Sequence, residues 1–510
     1  MGEIGFLPAI VLPLQLVGLV AIWRRWLYVA QREHYLPGST IRFAFRWSVA
    51  GIANVLAAVL LTVLALAAWA PAPLGVVSAA VLGVIAAFWP FGLSAKGMAW
   101  TARVKRLAGL AAAGAAVFLG LTWWWLGVRG LLAGLAAVTL GGDLVMDLAM
   151  RVAWPIERRL QRQWIEKART RLRQVGPGVV AITGSYGKTT AKEYVRRTLG
   201  LAGPTMASPA SFNNAMGLSR AVNEHLAPGT KWFVAEMGAY GPGEVRAMCE
   251  WLPPDIAAIT AIGPVHLERF GSLDVTLSSK AEIFERARVA VVNADDERLA
   301  AHANVLEASG KRVIRCGTTP GLDVTVSDAG DSWTATIDGT VVEHIPKVPF
   351  ATNLAVALGI GLAADVPLHG LAGAFAGAET PEHRQSIVTA DGGFSIIDNT
   401  FNSNPAGAAS SLALLGAFDG RRVVVTPGMV ELGNMQAEEN RAFGAAASRV
   451  ADDVVVVKRT NRRALLEGAA EGSATVHGFP DRDTAVAWVR AHLGPGDAVL
   501  YENDLPGHYP

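Results

Sequence analysis

Val179 to Thr183 reads Val-Val-Ala-Ile-Thr, and Gly-Ser-Tyr-Gly-Lys-Thr-Thr follows at once over 184–190. An apolar strand that turns through glycines directly into a helix belongs in a parallel α/β sheet, with its functional site at the strand's carboxyl end. Gly184 and Gly187 let the backbone wrap closely around phosphates, and the helix N-terminus adds its N–H groups and dipole. Ser185, Tyr186 and Thr190 complete the loop. Lys188 reaches the terminal phosphates of a nucleotide, and the Thr189 hydroxyl is placed to meet Mg²⁺. A Gly-rich junction without a ligand would look similar in part. Strand, Gly-Lys-Thr and helix in one register favour nucleotide binding.

The chain has 510 residues, enough for two or three domains. Its mean hydropathy of +0.32 is high, and the apolar excess lies in the first third. Ile4–Trp23, Ser48–Ala70, Leu74–Leu93 and Leu107–Gly127 each approach the ~20 residues a membrane-spanning helix needs. Leu131–Met150 is a weaker fifth, interrupted by Asp143 and Asp147. The segments 24–47 (Arg24, Arg25, Arg32, Arg42, Arg46) and 94–106 (Lys96, Arg103, Lys105, Arg106) are basic, whereas 71–73 is Pro-Ala-Pro and 128–130 holds only Arg129. The positive-inside rule then predicts a multi-pass cell-membrane protein with its N-terminus outside and everything after 150 cytoplasmic. Asp143 and Asp147 fall near the cytoplasmic end of the fifth segment, or line a polar path.

Residues 151–176 form a basic amphipathic segment in which Ile156, Leu160, Trp164, Ala168 and Leu172 share a face. Such a helix suits an anionic membrane surface or the flank of a soluble domain. Residues 1–175 carry 18 Lys and Arg against 6 Asp and Glu, and the remainder 27 against 37, so an acidic unit follows a basic one. Two cysteines, Cys249 and Cys316, make neither a disulfide framework nor a four-ligand zinc site, which fits a reducing compartment. No basic surface with interleaved aromatics points to nucleic acid.

Beyond the loop, polar residues recur at the ends of apolar runs. "SFNNAMGLSRAV" opens a helix at Asn213 and Asn214, and "WFVAEMGAYGPGEV" runs a strand into Glu236. "IAAITAIGPVHLERFGS" leads to His266, "SSKAEIFE" places Lys280 on a helix, and "VAVVNADDE" ends a strand at Asn293. Alone, each is ordinary: a surface histidine, a solvated lysine. Together they describe a parallel sheet with its site at the strand ends. The alternating segment 321–347 predicts antiparallel hairpins, and short β-rich runs at 385–398, 421–426, 454–457 and 498–501 predict a small Rossmann-like domain.

These motifs, with "IIDNTFNSNPAGAASSL" and "TPGMVELG", resemble the Mur ligase family over about 177–500, most of all its D-alanyl-D-alanine-adding branch. The resemblance implies a central ATP-binding domain at 177–380 and a C-terminal Rossmann-like ligase domain at 381–510, behind a helical transmembrane domain at 1–150. It implies an ADP-forming, ATP-dependent amide-bond ligase working through an acyl phosphate. Lys188, Glu236, His266, Lys280 and Asn214 would be its catalytic residues. Thr189 and Glu236 would hold one Mg²⁺, and His266 with a carbamylated Lys280 a second. Asn293 would face adenine, Arg384 the phosphates and Asp398 the ribose.

The chain departs from the family in three places. Apolar segments stand where the family has its domain for the uridine nucleotide of the substrate, which predicts a lipid-linked or polymeric acceptor held at the membrane lipids. "GDAVLYENDLPGHYP" replaces a Lys-Gly-Ser-Arg-like turn, leaving the amine donor open between an amino acid and a dipeptide. "PEHRQ" stands where Gly-Arg is usual, and Phe401 takes the place of a tyrosine. A poly-γ-glutamate-type synthase, which adds one amino acid repeatedly, is the alternative within the class. A membrane nucleotide sensor or ATPase is the alternative outside it, but needs none of His266, Lys280 or Asn402-Ser403-Asn404-Pro405.

Overall fold

Among the described residues, the apolar first third contains six helices: α1 (Leu7–Arg32), α2 (Ser39–Val49), α3 (Ile52–Ala67), α4 (Leu74–Phe88), α5 (Ala102–Leu140) and α6 (Gly142–Val175). The computed structural model describes residues 7–49, 52–70, 74–88, 98–209, 212–378, 385–401 and 403–505. The loop 71–73, Lys96, Arg384 and Asn402 lie outside them. Two compact units are present, Met1–Leu160 with Leu505–Pro510, and Gln161–Asp504.

The first unit corrects the expected topology. Among the described residues one helix, Ala102–Leu140, is long and apolar enough to cross a membrane, so the five-span, multi-pass cell-membrane location is overturned. The cytoplasmic placement of the rest, which rested on that topology alone, goes with it. α1 runs on through Arg24 and Arg25 to Arg32. α5 breaks at Gly127, whose φ of 59° and ψ of −141° are not helical. Its second half folds back on the first, and a Cβ on Gly130 would lie 1.9 Å from the Thr122 carbonyl oxygen. The expected span 131–150 is therefore the returning half of α5 joined to the start of α6. Trp124 and Trp125, just before the break, are exposed.

The basic segment 151–176 is likewise not a separate element. It continues α6, and from residue 165 onward the helix belongs to the second unit's core, where Ala168 and Leu172 are buried with Ile165 and Val175 against them. Ile156, Leu160 and Trp164, expected on the same face, are exposed.

The second unit carries two sheets. The larger contains β1 (Gly178–Thr183), β2 (Thr205–Ala207), β3 (Trp232–Glu236), β4 (Ile256–Ile259), β5 (Val289–Asn293), β6 (Arg312–Gly317), β7 (Val324–Asp328), β8 (Ser332–Ile337) and β9 (Thr340–Pro346). Their order is β2-β3-β1-β4-β5-β6-β7-β8-β9, parallel as far as β7 and antiparallel through the β7–β9 hairpins. Val179 and Ala181 face one core and Val180 and Ile182 the other, the alternation of a strand covered on both sides. Strand order reverses at β1, which opens a crevice at its carboxyl end.

The smaller sheet contains β10 (Ser386–Thr389), β11 (Ser395–Asn399), β12 (Arg422–Thr426), β13 (Asp453–Val457), β14 (Thr475–Phe479) and β15 (Ala498–Glu502), in the order β10-β11-β15-β12-β13-β14. All its pairs are parallel except β10–β11. Edge strand β14, Thr-Val-His-Gly-Phe, has too weak a β pattern to be read from sequence.

Candidate active site

The phosphate loop leaves β1 and enters α7 (Lys188–Gly200) through Gly187, whose φ of 77° suits glycine alone. A Cβ there would lie 2.4 Å from Asn353 Oδ1, and one on Gly184 would lie 2.0 Å from Thr260 Oγ1. The loop is tied to the next strand's exit. The Ser185 amide donates to the Ala261 carbonyl (2.8 Å). Its hydroxyl donates to the Gly263 carbonyl (3.1 Å) and accepts the Gly263 amide (2.9 Å). Thr260 Oγ1 donates to the Tyr186 carbonyl. Thr190 is buried in the first turn of α7. The Lys188 ammonium donates to the carbonyls of Gly184 (2.7 Å) and Ser185 (3.2 Å), at the mouth of the loop it is expected to serve.

Glu236 sits beside it at the end of β3, paired in register with Ile182 of β1. Its carboxylate is buried and accepts from Thr189 Oγ1 (3.0 Å) and Asn213 Nδ2 (3.3 Å). Lys192 Nζ, also buried, lies 3.0 Å from the same oxygen that Thr189 meets. Burial pushes the Glu236 carboxyl up, but the Lys192 and Lys188 charges and the bonds from Lys192 and Thr189 outweigh it and hold it below its ordinary range. Sequence reasoning missed Lys192. Its signal was there: it follows Thr189 by three residues and so shares a face of α7.

His266 follows β4 and starts the short helix Leu267–Phe270 with a φ of 57°. Its Nδ1 meets the carboxylate of Glu431, from the loop after β12, and the Leu267 amide donates to the Glu431 carbonyl (2.8 Å). The Tyr240 ring packs edge-on at 4.7 Å. Burial lowers the imidazole below its ordinary value; Glu431 opposes this, and the charges of Lys188 and Lys280 add to it. Lys280, in the helix Leu273–Ala281, is buried with its Nζ 5.7 Å from the centre of the Phe270 ring. Burial, then the Lys188 charge, pushes its ammonium well below its usual range.

The other expected residues lie apart from this group or are otherwise engaged. Asn214 caps the helix α8 (Ala215–His225), accepting the Gly217 amide at 2.9 Å, and its neighbour Asn213 is the one that reaches Glu236. Asn293 ends β5 with its amide donating to the Thr260 carbonyl (2.9 Å) and accepting the Asp295 amide (3.1 Å). Asp398, on β11, accepts the Thr400 amide (3.1 Å) and hydroxyl (2.6 Å). Arg384 is outside the described residues.

Thr189 and Glu236 offer two hard oxygens at the phosphate loop. Among the described residues no group of three His, Cys, Asp or Glu forms a complete protein cage for a metal. That donor set suits Mg²⁺, which keeps several waters and takes the rest of its ligands from substrate phosphates.

Comparison with known proteins places the same region. The Mur ligase middle domain matches residues 182–351, and the Mur ligase glutamate ligase domain matches 383–501. The UDP-N-acetylmuramoyl-tripeptide–D-alanyl-D-alanine ligase of Mycobacterium tuberculosis is 30% identical over 375 residues, spanning 64% of this chain and 70% of the relative. The ligase of that name from Escherichia coli is 27% identical over 316 residues, 58% of this chain and 68% of the relative. In fold, the chain is similar to MurF ligase from Thermotoga maritima in complex with ADP, with a TM-score of 0.58 and 24% identity over 68% of this chain and 80% of that one.

Proposed function

The chain belongs to the Mur ligase family and is an ATP-dependent carbon–nitrogen ligase, and on that premise we propose that it joins a muramoyl-peptide carboxylate to the amine of a D-alanyl-D-alanine-like dipeptide. The observation that carries this reading is the convergence of Lys188, Thr189 and Glu236 on one crevice with the buried amine of Lys280 and the imidazole of His266. ATP and Mg²⁺ are the family's cofactors. The nine-stranded sheet (177–380) is the ATP-binding domain in this reading, and the six-stranded sheet (381–504) selects the amine. The lipid-linked acceptor expected from sequence rested on the multi-pass topology and loses its ground with it.

The loop amides and Lys188 bind the β- and γ-phosphates and neutralise charge that develops during transfer. A substrate carboxylate oxygen attacks the γ-phosphorus, the bond to the β–γ bridging oxygen breaks, and ADP leaves. The amine nitrogen then attacks the acyl carbon, loses a proton, and inorganic phosphate departs with the former carboxylate oxygen. Thr189 and Glu236 would hold one Mg²⁺, which when bound spreads the phosphate charge. Lys192 keeps Glu236 ionised in its buried position.

His266 and Lys280 would hold a second ion once Lys280 is carbamylated. The Lys280 nitrogen, once deprotonated, would add to the carbon of CO₂ and release a proton, converting an amine into an oxygen donor that Mg²⁺ prefers. Acyl-peptide substrate labelled with ¹⁸O in its carboxylate should deliver one label to the phosphate released, with ADP and an amide product formed together. Release of AMP, or unlabelled phosphate, overturns the acyl-phosphate route.

A further inference from the structure

A residue of the other sheet's domain holds His266. Glu431 lies in Thr-Pro-Gly-Met-Val-Glu-Leu-Gly after β12, and its carboxylate meets His266 Nδ1. Its own carbonyl accepts the Leu267 amide at 2.8 Å, so two bonds fasten the same pair of segments. Both residues adopt left-handed backbone conformations, with φ of 57° at His266 and 65° at Glu431. Non-glycine residues hold that region only where surrounding contacts impose it. Gly433, two residues on, approaches so closely that an added Cβ would lie 3.4 Å from Leu267.

Resting on the two-ion reading above, we infer that Glu431 is a positioning residue delivered by the C-terminal domain, fixing His266 so that its second nitrogen serves the metal. A carboxylate on Nδ1 holds that nitrogen protonated and leaves Nε2 as the lone-pair donor, the tautomer a metal needs. Tyr240 against the ring limits its rotation.

The test uses the full chain, ADP, bicarbonate and Mn²⁺ as the spectroscopic stand-in for Mg²⁺, counted by electron paramagnetic resonance. Wild type should take two ions. Glu431→Ala should weaken one of them about 10–100-fold, the usual effect of losing the carboxylate behind a ligating histidine. Its ADP affinity should be unchanged. Glu431→Gln keeps an acceptor oxygen without the charge and should fall between. Adding Glu431→Ala to His266→Ala should cost nothing beyond His266→Ala alone, since the first acts through the second. Wild-type Mn²⁺ binding in both Glu431 variants, or a loss additive with His266→Ala, overturns the inference. A wild-type enzyme that takes a single ion instead overturns the two-ion reading, and this inference falls with it.

Discussion

Glu502 → Gln should make the protein more stable relative to wild type as pH rises. Glu502 ends β15, which lies between β11 and β12, and its side chain is wholly buried. Asn399 Nδ2 stands 3.0 and 2.9 Å from its two oxygens, and the Ser403 hydroxyl donates to one of them. Burial nevertheless pushes the carboxyl from 4.5 up to about 7, with the bonds from Ser403, Asn399 and Ser411 pulling the other way. The sign follows from proton counting. Between 4.5 and about 7 the unfolded chain has released a proton that the folded one retains, so stability falls as pH rises and levels off above the folded value. At about 1.4 kcal/mol for each tenfold in acidity, that loss totals about 3 kcal/mol.

Glutamine does not titrate, so the variant avoids the loss. Its amide turns an N–H group toward the Asn399 and Ser403 donors, at a cost of about 1–3 kcal/mol that does not change with pH. The pH-dependent part isolates the carboxyl. For the unit Gln161–Asp504, about 2.1 cal/mol/K per residue of unfolding entropy gives ~0.7 kcal/mol per degree. The Tm difference, variant minus wild type, should therefore climb by about 5 °C between pH 4.5 and pH 8. Thermal unfolding across that range, followed by circular dichroism, measures it. A difference that stays flat would mean the Asn399 and Ser403 bonds keep the carboxylate ionised, and the argument from burial would fail.

Lys188→Ala should cut ATP turnover about 10²–10³-fold, the scale of losing one preorganised charge-stabilising group, with Tm unchanged; wild-type ADP release would remove the nucleotide assignment. Lys280→Ala should lose ligation and regain part of it with added acetate or formate, which supply the missing oxygens; an unrescued variant with full Mn²⁺ binding would exclude the carbamate. Gly187→Ala places a Cβ 2.4 Å from Asn353 Oδ1 at a φ of 77° and costs ~1–2 kcal/mol of loop strain, so calorimetric ADP affinity should drop about tenfold. An unchanged Kd would show that the loop takes up the methyl group freely. Leu172→Ala should lower unfolding free energy by ~2–3 kcal/mol in urea, and no loss would mean that the end of α6 is not part of the catalytic core.

What was legible in the sequence was local. Val179–Thr183 and the loop after it fix their own geometry, because the strand, the glycines and the helix start are consecutive residues obeying one set of backbone rules. Glu236 could be found because it ends an apolar run. What was not legible depends on segments meeting across the fold. Asn213 and Asn214 are indistinguishable by type, and only the direction of the chain before α8 sends the first to Glu236 and leaves the second as a cap. Lys192 gains its meaning from β3 lying beside β1, a strand order no local pattern states.

The misreading of the first third has the same root. Hydropathy summed along the chain runs straight through the break at Gly127, which leaves the sum unchanged. The reach of Glu431 to His266 is the extreme case, 165 residues apart in sequence and joined only by the docking of two sheets. In the proposed reading the phosphate cradle lies on one contiguous loop, whereas the residues that would hold and orient groups around it come from β3, α7, the segment after β4 and the second domain. In that reading, loss of the Glu431 contact would leave the phosphate cradle in place and release the orientation of His266. ATP binding and acyl transfer should thus respond separately to any change that loosens the contact between Glu431 and residues 266–267.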